Sequence, residues 1–231
     1  TGTTYKSVII TYDEKGNELF KTYLSKTIAV DACVSPDNAE FAYAEVNNSG
    51  TTIQSNIKII SIKDVKEKNT EPKYEYNAVQ GSLILRIKYQ DKSRLICMYD
   101  DSIHKFETGV DVELTKLNED NPKITFADIE LNNYVFRTYE KSTSLFSADT
   151  IIEMQNTSNG KENVYTIEEV AKSVVSNNNV IAVNLGNEVY FVETNAWLIK
   201  RYSSSQVIEK IILGDGVAGI IYSDKIEIVN L

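Results

Sequence analysis

Ala29-Val30-Asp31-Ala32-Cys33-Val34-Ser35-Pro36-Asp37-Asn38, running on into Phe41-Ala42-Tyr43-Ala44, is the stretch whose reading decides the fold. Apolar residues recur with period 2 on both sides of a Ser-Pro-Asp-Asn turn, the signature of two half-buried strands rather than a helix. Asn38 tolerates the left-handed backbone that a tight turn needs, so the two flanks pair as an antiparallel hairpin. The second flank carries alanine at 42 and 44. Side chains that small let a neighbouring layer approach closely.

Working outward, the same order returns twice. Val174-Val175-Ser176-Asn177-Asn178-Asn179 leads into Ile181-Ala182-Val183, and Ile211-Ile212-Leu213-Gly214-Asp215-Gly216 leads into Ala218-Gly219-Ile220-Ile221. Between these hairpins, strand-like runs rich in Val, Ile, Tyr, Phe and Thr follow one another, about twenty-one in all, from Ser7–Tyr12 and Glu18–Leu24 to Val217–Tyr222 and Lys225–Val229. Turn residues separate them, as in Asp13-Glu14-Lys15-Gly16-Asn17, Asn47-Asn48-Ser49-Gly50, Asn132-Asn133 and Gly186-Asn187. One helical turn competes with a loop at Ile167–Ala171, because Glu168, Glu169 and Ala171 favour helix. The charged segment 63–72 lacks apolar periodicity and reads as a surface loop.

Many evenly spaced strands fit a sandwich, a barrel or a propeller. A weak internal repeat of about 40 residues selects the propeller. Hairpins such as Ser7–Leu24 and Glu188–Tyr202, and more loosely Arg94–Leu117, read as the outer strand pairs of blades, and the small-residue hairpins as inner pairs. The fold class expected is therefore all-β, a β-propeller of about five or six blades of four antiparallel strands. The whole chain, 1–231, reads as one domain with no interdomain linker, its N- and C-terminal strands sharing the closing blade.

The run Val34-Ser35-Pro36-Asp37-Asn38 with Phe41-Ala42-Tyr43 resembles the Ser-Pro-Asp-Gly turn common to WD-repeat-like, YVTN-type and TolB-type propellers, with Asn38 in place of the glycine. The Trp-Asp dipeptide of true WD repeats is missing, as is the Asp-box of sialidases. The chain as a whole is similar to a group of Gram-positive propeller proteins that carry one N-terminal membrane anchor. That resemblance implies a module held on the outer face of a membrane.

A net charge of −9 over 231 residues argues against nucleic acid, since a phosphate backbone is repelled by an acidic surface. Asn, Lys, Ile and Tyr are abundant while Pro and Trp are scarce, which suggests an AT-rich bacterial coding sequence. The longest apolar runs, such as Val180–Val183 and Gly216–Tyr222, are strand-sized, too short to span a bilayer as a helix. The start Thr1-Gly2-Thr3-Thr4-Tyr5 has no initiator Met, basic region or apolar run, so the N-terminus is expected to be trimmed. Cys33 and Cys97 stand 64 positions apart in apolar, strand-like surroundings and read as two buried free thiols, with one disulfide as the alternative.

No residue set carries a catalytic, cofactor or metal signature, and none is assigned. His104 is the single histidine, which excludes multi-histidine metal sites. Ser102 lies two positions away on the same strand face, but the sequence identifies no third group for a triad. Asp100-Asp101, Asp111 with Glu113, Asp128 with Glu130, and Glu119-Asp120 are the local carboxylate clusters, and the alternating pairs could converge as in glycosidases. Asn118-Glu119-Asp120-Asn121 gathers oxygen ligands but fails the EF-hand pattern. Gly214–Gly219 has GxGxxG spacing between two strands, which makes it a hairpin turn rather than a phosphate loop. Trp197 resembles the inter-blade tryptophan of quinoprotein repeats and is expected to pack between sheets, as are the tyrosines, which could alternatively line a carbohydrate or peptide groove.

The function expected is thus a non-catalytic binding or scaffold module outside the cell, recognising a protein or cell-envelope glycan through its loops, with no cofactor. Contact with the membrane would come only through an anchor, and a cytoplasmic location is the alternative. The competing function is a carbohydrate-active enzyme using paired carboxylates in a central funnel.

Overall fold

The computed structural model describes residues 5–118, 123–145 and 147–231. Among them are twenty-one strands and one short helix. The chain divides into two compact units, Thr1–Lys116 and Leu117–Leu231.

The first unit holds ten strands. β1 (Ser7–Tyr12) and β2 (Glu18–Leu24) form a two-stranded sheet. β3 (Ile28–Val34), β4 (Glu40–Asn47), β5 (Gln54–Ser61) and β6 (Tyr74–Asn77) form a four-stranded meander. β7 (Ile84–Tyr89), β8 (Arg94–Tyr99), β9 (Ser102–Glu107) and β10 (Val110–Lys116) form a second. In each meander every strand pairs antiparallel with its neighbour in sequence, which is how a propeller blade is constructed.

The second unit repeats the plan. β11 (Ile124–Asp128), β12 (Tyr134–Ser142), β13 (Ala148–Asn156) and β14 (Glu162–Ile167) form one four-stranded sheet, and β15 (Ser173–Asn177), β16 (Val180–Asn184), β17 (Glu188–Glu193) and β18 (Leu198–Ser203) the next. A three-stranded sheet of β19 (Lys210–Leu213), β20 (Val217–Ile221) and β21 (Ile226–Asn230) ends the chain.

The hairpin that decides the fold has the expected form. Ser35 Oγ donates to Asp37 Oδ1 at 2.7 Å and accepts from the backbone N–H of Glu40 at 3.0 Å. Asn38 takes a φ of 54°, inside the left-handed region where a short polar side chain costs least. The Ser35 hydroxyl, followed by the Ala39 backbone N–H, holds the Asp37 carboxyl below its ordinary range.

Beyond the turn, Ala42 and Ala44 on β4 are fully buried. They join Ile57, Ile87, Leu95, Cys97 and Phe106 in a core that lies between the two four-stranded sheets. Ala182 and Ala218 do the same in the second unit, beside Phe191, Ile211 and Ile220. The small residues on β4, β16 and β20 therefore permit the close packing that the sequence pattern anticipates.

Polar side chains stitch neighbouring sheets together at their first strands. Asp31 Oδ2 accepts from the Ile87 N–H at 2.9 Å, Ser176 Oγ donates to Asp128 Oδ2 at 2.9 Å, and Asn177 Nδ2 donates to the Leu213 carbonyl at 3.2 Å.

One local expectation is corrected and one open alternative is decided. The segment 63–72 opens not as a loop but as helix α1 (Ile62–Lys66), because the Ser61 hydroxyl caps its first turn by accepting from the Asp64 N–H at 3.2 Å and Val65 supplies a buried anchor. Conversely, 168–171 is not helical: β14 runs to Ile167, and the Thr150 side chain then takes up the following backbone, donating to the Glu169 carbonyl and accepting from the Ala171 N–H.

The hairpin geometry yields a direct test. Asn38→Gly should leave stability within roughly 1 kcal/mol of wild type in urea unfolding, whereas Asn38→Val should cost about 1–2 kcal/mol more, since a β-branched residue resists positive φ.

Candidate functional site

Two concave sites lie in the first unit. The larger, about 400 Å³, forms where the β1–β2 loop and the β3–β4 turn approach α1. Leu19, Val34, Phe41 and Ile62 give it an apolar lining, while Asp13, Glu14, Lys15 and Lys66 supply charge of both signs. They come from strand ends, turns and, for Ile62 and Lys66, from α1. Gly16, at φ 81°, closes the β1–β2 loop, and Asp13 Oδ1 accepts from the N–H groups of Lys15 and Asn17, so that loop is internally ordered. These bonds, led by the one from the Asn17 side chain, hold the Asp13 carboxyl below its ordinary range. Tyr12 and Val34 stay 57 % and 50 % exposed beside the cleft, so apolar surface here faces solvent.

The smaller site, about 130 Å³, is polar. It begins with a two-residue turn: Thr108 and Gly109 both take positive φ, 50° and 84°, as a type I′ hairpin requires. A side chain at 109 would meet the Tyr74 ring at 3.2 Å, so glycine is needed there on two counts. That turn sets the register of β9 and β10, placing Phe106 opposite Asp111 and His104 opposite Glu113. Asp111 is thereby diagonal to His104 on one face.

The side chains use this placement. His104 Nδ1 lies 2.7 Å from Asp111 Oδ1, and Nε2 lies 3.1 Å from Ser102 Oγ. Since an ionised carboxylate only accepts, Nδ1 carries the proton of this contact. Tyr99 meets the imidazole edge-on at 5.1 Å between centroids and Phe106 stacks beside it at 6.2 Å, which fixes the ring plane. Ser102 Oγ donates its one proton to Asp101 Oδ1 at 2.8 Å, so that carboxylate competes with His104 Nε2 for it, and Ser82 Oγ donates to Asp101 Oδ2 at 3.0 Å.

Sequence alone pairs Ser102 with His104 and leaves the third group open. Asp111 supplies it. Its sequence context points only to a carboxylate pair with Glu113, and the signal that locates it is Thr108-Gly109, read as a two-residue turn.

The other candidates resolve as follows. Asp128 is absorbed in structure, accepting from the Ile129 N–H and the Ser176 hydroxyl. Asp100 Oδ1 accepts from the Leu83 N–H at 2.8 Å. Glu119, Asp120 and Asn121 lie outside the described residues. Gly214–Gly219 forms the β19–β20 hairpin, with Gly214 N–H donating to Val217 O at 2.9 Å.

Trp197 is a correction: it is 70 % exposed at the tip of the β17–β18 hairpin, where Ala196 takes a φ of 65° and turns the side chain away from the sheet. Tyrosines divide, with Tyr43, Tyr76, Tyr89 and Tyr99 buried and Tyr12 and Tyr23 more than half exposed. Among the described residues no group of three or more His, Cys, Asp or Glu is arranged to hold a metal ion. No helix among them is long and apolar enough to cross a membrane.

Cys33 and Cys97 are both free thiols. Burial pushes the Cys33 thiol from its ordinary 9.0 up to about 12, and pushes Cys97 up as well.

The sequence matches the model of the DUF5711 family, described as a family of unknown function, over residues 2–231. No curated protein matches it. Among solved structures it is similar to the β-propeller domain of the Trilobed protease from Pyrococcus furiosus, at 11 % identity and TM-score 0.55, over 97 % of this chain and 77 % of that one. A structure from a study of two prolyl endopeptidases matches at 15 % identity and TM-score 0.59, over 94 % of this chain but 34 % of that one. Sqt1 from Chaetomium thermophilum matches at 8 % identity and TM-score 0.51, over 89 % of this chain and 58 % of that one. At these identities the likeness speaks to fold alone, and the fold is an all-β propeller.

A raised thiol pKa makes the neutral form the native one. Its contribution to stability is therefore complete below about pH 9 and is lost as pH rises toward 12. Urea unfolding followed at pH 8, 9.5 and 11 should show stability falling across that window, with Cys33→Ala removing part of the fall and the remainder belonging to Cys97, Tyr43, Tyr89 and Tyr99, whose ionisation burial also holds back. Iodoacetamide at pH 8 should label either thiol only after unfolding.

Proposed function

We propose that this chain, which belongs to the DUF5711 family, is a binding module that docks a protein segment in the cleft framed by the β1–β2 loop, the β3–β4 turn and α1. One observation carries the reading: a cleft of about 400 Å³ with apolar walls from Leu19, Val34, Phe41 and Ile62, rimmed by charges of both signs. Apolar walls receive a side chain and the charged rim orients the backbone around it, the usual division of labour in a recognition site. A rigid β scaffold that presents its loops at one place suits this role. A glycan would favour a flatter, more polar and aromatic surface.

The resemblance to anchored Gram-positive propellers supports a location outside the cell, with the anchor lying upstream of this chain. The two units belong in this reading to a single domain, 1–231, so thermal unfolding should show one cooperative transition. The competing carbohydrate-active reading draws no support from Asp128, which is committed to the β11–β15 seam.

The cleft is tested by photo-crosslinking. A benzoylphenylalanine at Val34 should capture a discrete partner from envelope extracts, and Leu19→Asp in the same chain should abolish the capture. The same label at Val164, 52 % exposed on β14, should capture nothing comparable. Equal capture from both positions, or none from Val34, overturns the proposal. Protease treatment of intact cells tests the location: an outward-facing chain is degraded without lysis.

A further inference from the structure

We propose that Ser102, His104 and Asp111 form a nucleophilic triad that hydrolyses a small ester of neutral or positive charge, in a pocket separate from the docking cleft. Three observations converge. The hydroxyl, imidazole and carboxylate stand in series at 3.1 Å and 2.7 Å, both within the reach that proton transfer requires. The imidazole is held in plane by Tyr99 and Phe106, with Nδ1–H committed to Asp111. All three residues line one concavity, so the arrangement opens onto space that a substrate can enter.

Roles follow from position. Ser102 Oγ attacks the ester carbonyl carbon as its proton passes to His104 Nε2, forming the C–Oγ bond. The tetrahedral intermediate collapses, the C–O bond to the alcohol breaks, and His104 returns the proton to the departing alkoxide. Water then adds to the acyl-serine with His104 again taking a proton, and the acid leaves as Ser102 recovers its hydrogen. The sum is ester plus water to acid plus alcohol, with no other reactant. Asp111 touches only His104 and is a positioning residue. Asn77 alone among the lining residues carries a side-chain amide, and it is the group assigned to receive the oxyanion.

Size and charge narrow the substrate. A volume of about 130 Å³ is that of about four water molecules, which admits an acetyl, glycyl or alanyl group and little more. Asp101 and Glu113 line the same pocket as Asp111, so an anionic acyl group is repelled and an ammonium-bearing one attracted. Asp101 has a second effect. Its Oδ1 accepts the Ser102 proton at 2.8 Å, in competition with His104, and so holds back the nucleophile.

The test uses the whole chain. A fluorophosphonate probe should label it at one site, located by peptide mapping to Ser102, and Ser102→Ala should abolish both labelling and hydrolysis of p-nitrophenyl acetate. His104→Gln should cut hydrolysis on the order of 10³-fold, and Asp111→Asn should lower kcat while leaving KM in place, at an unchanged urea-unfolding midpoint that excludes a loss of folded enzyme. Alanine p-nitrophenyl ester should exceed the mono-p-nitrophenyl ester of succinate by about tenfold or more in kcat/KM, equivalent to about 1.4 kcal/mol. Asp101→Ala should raise kcat, which a purely structural hydrogen-bond chain would not do. Absence of labelling, labelling that survives Ser102→Ala, or hydrolysis indifferent to His104→Gln overturns the proposal.

Discussion

A four-stranded sheet whose strands are apolar on both faces has no stable existence alone, because each face must leave water. Every larger feature of this protein answers that requirement. Face-to-face packing of consecutive sheets removes Ile57, Leu95, Phe106, Ile152, Phe191 and Ile220 from solvent almost completely. In two of these contacts buried alanines lie in the seam: Ala42 and Ala44 on β4, and Ala182 on β16 with Ala218 on β20. Larger residues at those positions would hold the sheets apart and open voids along the seam.

The seams are not wholly apolar. At the first strands, where each sheet begins, the Ile87 N–H is met by Asp31, the Leu213 carbonyl by Asn177 and the Ser176 hydroxyl by Asp128. Leaving such groups dry and unpaired would cost about 1–3 kcal/mol each, so these short side chains set the sheets in register as well as satisfying them. Glu45 shows the same economy within a sheet. Almost fully buried on β4, it is matched by the Lys58 ammonium at 2.7 Å and the Thr27 hydroxyl at 2.7 Å.

Both concave sites occur where this packing runs out. The apolar-lined cleft lies at hairpin tips, where strands end and loop side chains spread apart. The polar pocket lies at the edge of the β7–β10 sheet, where the apolar series Cys97, Tyr99 and Phe106 gives way to His104, Asp111 and Glu113. The two sites draw on different chemistry for that reason. One offers apolar walls within a charged rim, and the other a hydrogen-bonded array held in plane by aromatic rings.

Local chemistry settled much of this at the level of sequence. Period-2 alternation located each of the twenty-one strands, and Asn and Gly in the turns located their connections, because both signals depend only on neighbours along the chain. The alanines of β4 and β16 foretold close sheet packing for the same reason. The cap on α1 has no periodic signal because one hydroxyl decides it, and the exposure of Trp197 is set at a hairpin tip where Ala196 takes a positive φ. Ser102 and His104 were legible as a pair two residues apart on a strand. That Asp111 completes them was decided only by tertiary structure, since the register of β10 against β9 follows from the Thr108-Gly109 turn and brings together side chains that no local pattern joins.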